Sequence, residues 1–400
     1  MKVLFVTMEY PPDTAIGGIA FNIGGMAPAM VELGHEVHVL SCWPGQEARD
    51  VDDRGVHVHR RPRVHIPGLR KVLPGANAAK RVEAVWSAWR EAKKLDVDPD
   101  VVNIPDWMGE GLMFSLTPGL PVVSYLHTPL RLITEHNQRA LGWPGKLADR
   151  LERTAVRRST IVTSTSQLLA DDLIDLGWLG RDEVRVIPAP LDVDRFASVE
   201  SVAGSGPVIL VVGRVEPRKA PEVVVEAAAR LAGEIEGLEL VLVGGSGGEL
   251  HGRPYREWVA SEAERLDVRL TLVDHVERDE MLQWYGRSRV VAVPSHYESF
   301  SITAVEAAAC GRPVVCSPRV GAREVLGDDP ALTVPIGDPE ALADRLRPFL
   351  LDAGLAEETG KRLHDAVAEA CSPRTVAARR IEVYQEAIDR VRRRRRRRHG

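Results

Sequence analysis

Glu298 and Glu306 stand eight residues apart, on either side of what reads as a strand-to-helix turn. Val290–Val293 has the apolar run of a short buried strand, and Ile302–Cys310 that of a helix that Gly311 stops. This places Glu298 in the loop at the strand's C-terminal end and Glu306 about one turn inside the helix. Between them, Ser299 to Thr303 supplies backbone amides at a helix start, where anions are favoured. A carboxylate, an amide-lined anion site and a second carboxylate suit a ligand built from a sugar, a diphosphate and a ribose. The chemistry is that of a nucleotide-sugar site.

Other residues could join it. Arg214 and Lys219 follow the apolar run Val208–Val212, just past the C-terminal end of a strand, where α/β folds bind ligands. Two cations there can hold a diphosphate and stabilise charge as it departs; solvated surface charge is the simpler alternative. Gly17-Gly18 follows the first strand and opens a helix, so backbone amides can approach an anion, although a plain turn also needs glycine. His127 ends a strand and is structural or functional with equal ease. Gly244 to Gly248 is rich in glycine, but Leu250 occupies the third glycine position of a dinucleotide fingerprint. A loop packed against a nucleotide fits better than an NAD site.

These residues need scaffolds to hold them. Four hundred residues exceed what one core usually accommodates, so two domains are expected. A hydrophobic fraction of 44% with 27% charged residues is ordinary for a soluble globular protein. No apolar run is long enough to span a bilayer, and the opening seven residues read as a buried strand rather than a signal peptide, which implies a cytoplasmic protein. Cys42, Cys310, Cys316 and Cys371 contain no CxxC pair and imply neither a disulfide framework nor a zinc site. The net charge of −5 hides an uneven distribution, because Arg390 and Arg392 to Arg398 gather at the C-terminus. That run reads as a solvated helix end, with at most weak peripheral contact with an anionic membrane. No aromatic residues interleave it, so no nucleic-acid partner is expected.

Strand-like runs alternate with helical patterns throughout, which predicts α/β architecture with parallel sheets. The first half offers strands at Val3–Thr7, Val37–Leu40, Val56–His59, Val101–Ile104, Val122–Leu126, Ile161–Ser164 and Val184–Ile187. The small, flexible residues 202–207 read as a linker, after which strands recur at Val208–Val212, Leu238–Val243, Val268–Val273, Val290–Val293 and Val314–Cys316. The simplest arrangement is two Rossmann-like, doubly wound parallel-sheet domains facing a central cleft.

Glu298-x-Phe300, followed by Glu306, resembles the Glu-x7-Glu motif of retaining GT-B glycosyltransferases, especially glycosyltransferase family four. Arg214 and Lys219, with four residues between them, resemble the paired cations of the family's Gly-Arg…Lys-Gly element, with Ala220 where glycine is usual. Gly17-Gly18 resembles its opening, beside the donor diphosphate, and His127 a histidine that lines the donor sugar pocket. Two departures stand out: Ser301 replaces the glycine that commonly follows the phenylalanine, and Ala189-Pro190 stands where Asn-Gly is typical.

The resemblance implies an N-terminal acceptor domain over residues 1–200 and a C-terminal donor domain over 207–372, with a final helix over 373–398 returning to the first. It implies sugar transfer with retention from a UDP- or GDP-linked donor to a small-molecule acceptor, by front-face attack and without a metal or other cofactor. Its catalytic residues would be His127, Arg214, Lys219 and Glu298. The donor would be held by Gly17, Gly18, Arg214, Lys219, Gly244, Glu298, Phe300, Ser301, Ile302, Thr303 and Glu306, with Glu306 on the ribose and Glu298 on the sugar. Asp106, Trp107 and Glu135 follow strands on the presumed acceptor side, though as loop residues they are equally ordinary. The pairs Asp96/Asp98 and Asp192/Asp194 join no histidine or third carboxylate and read as caps or surface turns. Arginine-rich, lysine-poor usage points to a GC-rich bacterial genome, which makes natural-product or antibiotic glycosylation a candidate setting. A GT-B nucleotide-sugar epimerase and a non-catalytic sugar-nucleotide binder remain as alternatives.

Overall fold

Branched apolar runs become the strands of two separate sheets in the computed structural model. The structure describes residues 1–14, 17–73, 76–137, 140–196, 199, 206–250 and 252–399. The chain divides into two units, one of Met1–Pro190 with Pro373–Gly400 and one of Leu191–Ser372.

In the first unit the principal elements are β1 (Lys2–Thr7), α1 (Gly18–Glu32), β2 (Glu36–Trp43), β3 (Arg49–Asp53), β4 (Val56–Pro62) and α2 (Ala76–Ala92). They continue with β5 (Val101–Pro105), β6 (Val122–Tyr125), α3 (Leu130–His136), α4 (Trp143–Arg158), β7 (Ile161–Ser164), α5 (Gln167–Asp175) and β8 (Val184–Val186). The strand order is β3-β4-β2-β1-β5-β6-β7-β8, parallel except for β3 against β4. The order reverses at β1, whose neighbours are β2 and β5. A crevice at that switch point is where such sheets bind ligands.

The strand β3 was not expected, since Arg-Asp-Val-Asp-Asp offers no apolar alternation. It forms as a mostly exposed edge, where charged side chains discourage pairing with another chain. Asp50 links it to β4 through His59 (3.0 Å) and Arg61 (2.8 Å).

The second unit contains β9 (Val208–Val212), α6 (Pro221–Ala232), β10 (Glu239–Val243), α7 (Tyr255–Arg265), β11 (Leu270–Val273) and α8 (Arg278–Arg287). It goes on with β12 (Val290–Val293), α9 (Ile302–Ala309), β13 (Val314–Cys316), α10 (Pro339–Leu351) and α11 (Ala353–Cys371). Its parallel order is β11-β10-β9-β12-β13, with the switch between β9's two neighbours, β10 and β12. The loops that follow β9 and β12 therefore emerge side by side.

The division at Pro190 and Leu191 falls earlier than the expected break near residue 200. Leu191 N–H donates to the Cys371 carbonyl at 2.7 Å, and Val193 and Phe196 are buried, so this stretch belongs with the second unit. Most of the expected linker, residues 202–205, lies outside the described residues.

The last helix, α12 (Pro373–His399), belongs to the first unit and packs along α1. Tyr384 accepts from Asn103 at 2.9 Å, and fully buried Arg380 donates to Thr163 Oγ1 at 2.8 Å. The Arg380 guanidinium also lies 4.0 Å from the Tyr125 ring centre. Arg392 to Arg397 are exposed, and among the described residues none of them forms an ion pair with an acidic side chain. No described helix is long and apolar enough to cross a membrane. All four cysteines are buried, which pushes the thiols of Cys42 and Cys316 up to about 12.

Candidate functional site

The loop that follows β9 is shaped by two backbone demands. Gly213 has φ +128°, and a Cβ there would lie 2.7 Å from Lys219 Nζ, so only glycine lets the lysine fold over the strand end. Ala220, at φ +49°, then turns the chain into α6, with Pro221 at its first position.

Lys219 Nζ donates to Glu298 Oε1 at 2.6 Å, and Arg218 Nη1 lies 3.1 Å from Glu298 Oε2. Arg218 also donates to Glu216 Oε1 at 2.6 Å and to the Tyr297 carbonyl at 2.6 Å. Burial pushes the Glu298 carboxyl up, but Lys219 and Arg218 together overcome it and hold it at about 2. The carboxylate is ionised at neutral pH. Because its folded value lies below the ordinary one of 4.5, its contribution to stability is complete above that pH and is lost as pH falls toward 2.

The loop that carries Glu298 is stitched by backbone bonds. Glu298 N–H donates to Arg319 O at 2.9 Å, Gly321 N–H to Glu298 O at 3.0 Å and Ala322 N–H to Phe300 O at 2.6 Å. Phe300 is 4% exposed, so its side chain is packed inside the loop. Ser301 precedes α9 with φ +90°, a left-handed conformation that favours glycine. The strain explains why glycine is usual there. The Ser301 hydroxyl lies 3.2 Å from that of Thr303, and the amides of Ile302 and Thr303 open the helix.

Glu306, the fifth residue of α9, is buried, and the Tyr285 hydroxyl from α8 donates to its Oε2 at 3.1 Å. Gly244, at the end of β10, is required by close backbone approach. A Cβ there would lie 2.2 Å from the Gly213 carbonyl oxygen, and its φ is +146°. Gly244 thus supports the Lys219 loop, while Gly247 N–H donates to Val215 O at 3.0 Å to hold the next turn.

In the first unit a second polar set gathers at the C-terminal ends of β1, β5 and β6. Asp106 is fully buried, accepts the His127 backbone N–H at 3.1 Å and lies 3.5 Å from His127 Nδ1. The Tyr125 ring meets the imidazole edge-on, 4.3 Å between centres. Burial raises the Glu9 carboxyl against the pull of the Ala20 amide, the His127 charge and the Gly17 amide. Behind it, burial pushes Glu110 up to about 8 despite Arg63. Glu9 Oε2, Asp106 Oδ2 and both His127 ring nitrogens are buried without a hydrogen-bond partner among the described residues. Buried polar atoms left without a partner call for an explanation, and polar groups of a ligand can supply one.

The sequence pattern described as Glycosyltransferase Family 4 matches residues 16–195, and that described as Glycosyl transferases group 1 matches residues 193–365. A D-inositol 3-phosphate glycosyltransferase from Xylanimonas cellulosilytica is 30% identical over 96% of this chain and 95% of its own length. The chain is a family-four glycosyltransferase. A glycogen synthase from Mycobacterium tuberculosis is 28% identical over 97% of this chain and 95% of its own. The sucrose-phosphate synthase structure from Thermosynechococcus elongatus shares the GT-B fold, with a TM-score of 0.76 at 20% identity over 96% of this chain and 99% of that one.

In this glycosyltransferase, then, Lys219 and Glu298 meet directly, and Glu306 lies on the helix that starts beside them. Arg214 stands apart, its side chain 66% exposed and 3.7 Å from Glu216. Gly17, Gly18 and His127 belong to the other unit, with Gly17 and Gly18 exposed near Glu9. Of the residues expected to face an acceptor, Asp106 is buried beside His127, with Oδ1 accepting the His127 backbone N–H. Trp107 is half-buried, with the Arg81 guanidinium 5.7 Å from its ring centre, and Glu135 is exposed on α3. Glu9, Glu216, Arg218 and Tyr285 were not anticipated. Arg218 had a local signal as the cation next to Lys219, whereas Tyr285 is brought to Glu306 only by folding. Among the described residues no group of three or more His, Cys, Asp or Glu has metal-binding geometry.

Proposed function

We propose that this glycosyltransferase moves a hexosyl group from a UDP- or GDP-linked sugar to a small-molecule acceptor, with retention at the anomeric carbon and without a metal. The carrying observation is the Lys219–Glu298–Arg218 cluster at the switch point beside the start of α9. Lys219 and the amides that open α9 offer donors for a diphosphate next to an ionised carboxylate that can accept from sugar hydroxyls. In this reading Lys219, Arg214 and the Ser301–Thr303 amides hold the diphosphate, Glu298 the sugar and Glu306 the ribose.

As the glycosidic C–O bond to phosphate breaks, charge accumulates on the leaving diphosphate, where Lys219 and Arg214 stabilise it. The acceptor hydroxyl attacks the same face of the anomeric carbon, and its proton passes to the departing phosphate oxygen. No protein nucleophile takes part. His127 is assigned to the transferring sugar and the first unit to the acceptor. The sequence relatives act, by their names, on an inositol phosphate and on glycogen, which supports a hydroxylated acceptor. Bacterial natural-product or small-molecule glycoside biosynthesis is the setting we assign. Four buried cysteine thiols suit the reducing cytoplasm.

The test is turnover of UDP- and GDP-linked hexoses with a panel of sugar, cyclitol and aglycone acceptors in the presence of EDTA, with product configuration read from the anomeric coupling constant. A product of the donor's configuration is expected. An inverted product, or a requirement for a divalent ion, would overturn the mechanism. Donor isomerised without acceptor would instead indicate an epimerase, and donor bound but never consumed a non-catalytic binder.

A further inference from the structure

Glu298 carries two cations, and the two are held very differently. Arg218 is 12% exposed at its side chain and is pinned on every side. Its Nη2 and Nε donate to Glu216 Oε1 at 2.6 and 3.1 Å, its Nη1 donates to the Tyr297 carbonyl at 2.6 Å, and its own carbonyl accepts His296 N–H at 2.8 Å. Turning Arg218 toward a ligand would break these bonds. Lys219 Nζ has a single bonded partner among the described residues, Glu298 Oε1, and sits on a flexible stem.

A diphosphate arriving at this loop competes for Lys219. With Lys219 as sole partner, the exchange would leave a buried carboxylate uncompensated, which is strongly unfavourable. We infer that Arg218 is a positioning residue, the standing counter-charge of Glu298, which releases Lys219 to the donor diphosphate. Arg218 touches neither phosphate nor sugar. It keeps Glu298 ionised and aimed while its neighbour changes partner, and Glu216, also buried, fixes the guanidinium in that role. The inference rests on the donor site proposed above.

The experiment is calorimetric titration of wild type, Arg218→Gln, Arg218→Lys, Lys219→Ala and the Arg218→Gln/Lys219→Ala double variant. The probes are UDP and GDP, with uridine and guanosine as controls and circular dichroism to verify folding. Arg218→Gln is expected to weaken diphosphate binding by about 10–100-fold, the scale of one close charge pair, and to leave nucleoside binding unchanged. The double variant should bind no more weakly than Lys219→Ala alone, because Arg218 acts through Lys219. Arg218→Lys, which keeps the charge but not the fork, should recover part of the loss. Should Arg218→Gln not fold, the cycle is run with Arg218→Lys, whose smaller loss must likewise vanish in the Lys219→Ala background. Equal affinity of wild type and the Arg218 variants, or losses that add in the double variant, would overturn the inference alone. Failure of wild type to bind either diphosphate would remove the donor site itself, and this inference with it.

Discussion

Lys219→Ala should lower kcat/KM by about 10²–10³-fold, the usual cost of removing one preorganised donor from a developing negative charge. The loss should appear mainly in kcat, since Lys219 meets the leaving diphosphate as its charge grows. Folding should suffer less than turnover, because Arg218 remains on Glu298 at 3.1 Å and keeps the buried carboxylate paired. Arg214→Ala is the natural companion. Its side chain is largely exposed, so its loss of turnover should come with an unchanged melting temperature. Steady-state kinetics with thermal melting measures both, and near-normal turnover of the folded Lys219 variant would contradict the assignment.

Gly244→Ala should destabilise the second unit by about 3–5 kcal/mol, at the severe end for single substitutions. The new methyl carbon would lie 2.2 Å from the Gly213 carbonyl oxygen and 2.6 Å from its carbon, and the neighbour is backbone that cannot turn aside. The φ of +146° adds strain whatever the space. Because Gly213 opens the loop that carries Lys219, any folded fraction should also bind nucleoside diphosphate poorly. Gly245→Ala is the control: nothing lies within 4 Å of its added carbon, and it should melt within about 0.5 kcal/mol of wild type. Chemical denaturation of the two variants decides the matter, and equal midpoints would show that the strand ends relax more than the geometry allows.

How much of this could be read beforehand depended on whether a feature was local. Val208–Val212, Val290–Val293 and Val314–Cys316 form strands over the very residues expected, because a strand buried on both faces is written as an unbroken branched run. The edge strand β3 left no such trace, since nothing in Arg49–Asp53 is selected for burial. The placement of Lys219 and Glu298 in the loops after β9 and β12, and of Glu306 on α9, was legible from the apolar runs around them. The role of Arg218 was not, because two adjacent cations look alike until folding shows one pinned by Glu216 and Tyr297. The burial of Asp106 was not legible either, because a loop carboxylate facing solvent and one buried beside His127 share the same sequence. The Tyr285–Glu306 bond joins residues 21 apart on different helices, and no local pattern encodes it.

The central claim is that the Glu298–Glu306 constellation receives a nucleoside diphosphate without a metal. Calorimetric titration of UDP, GDP, ADP and NAD into the wild-type protein in EDTA tests it most directly. The account predicts saturable binding of UDP or GDP and none of NAD. Binding of NAD alone, or of no diphosphate until a divalent ion is added, would contradict it.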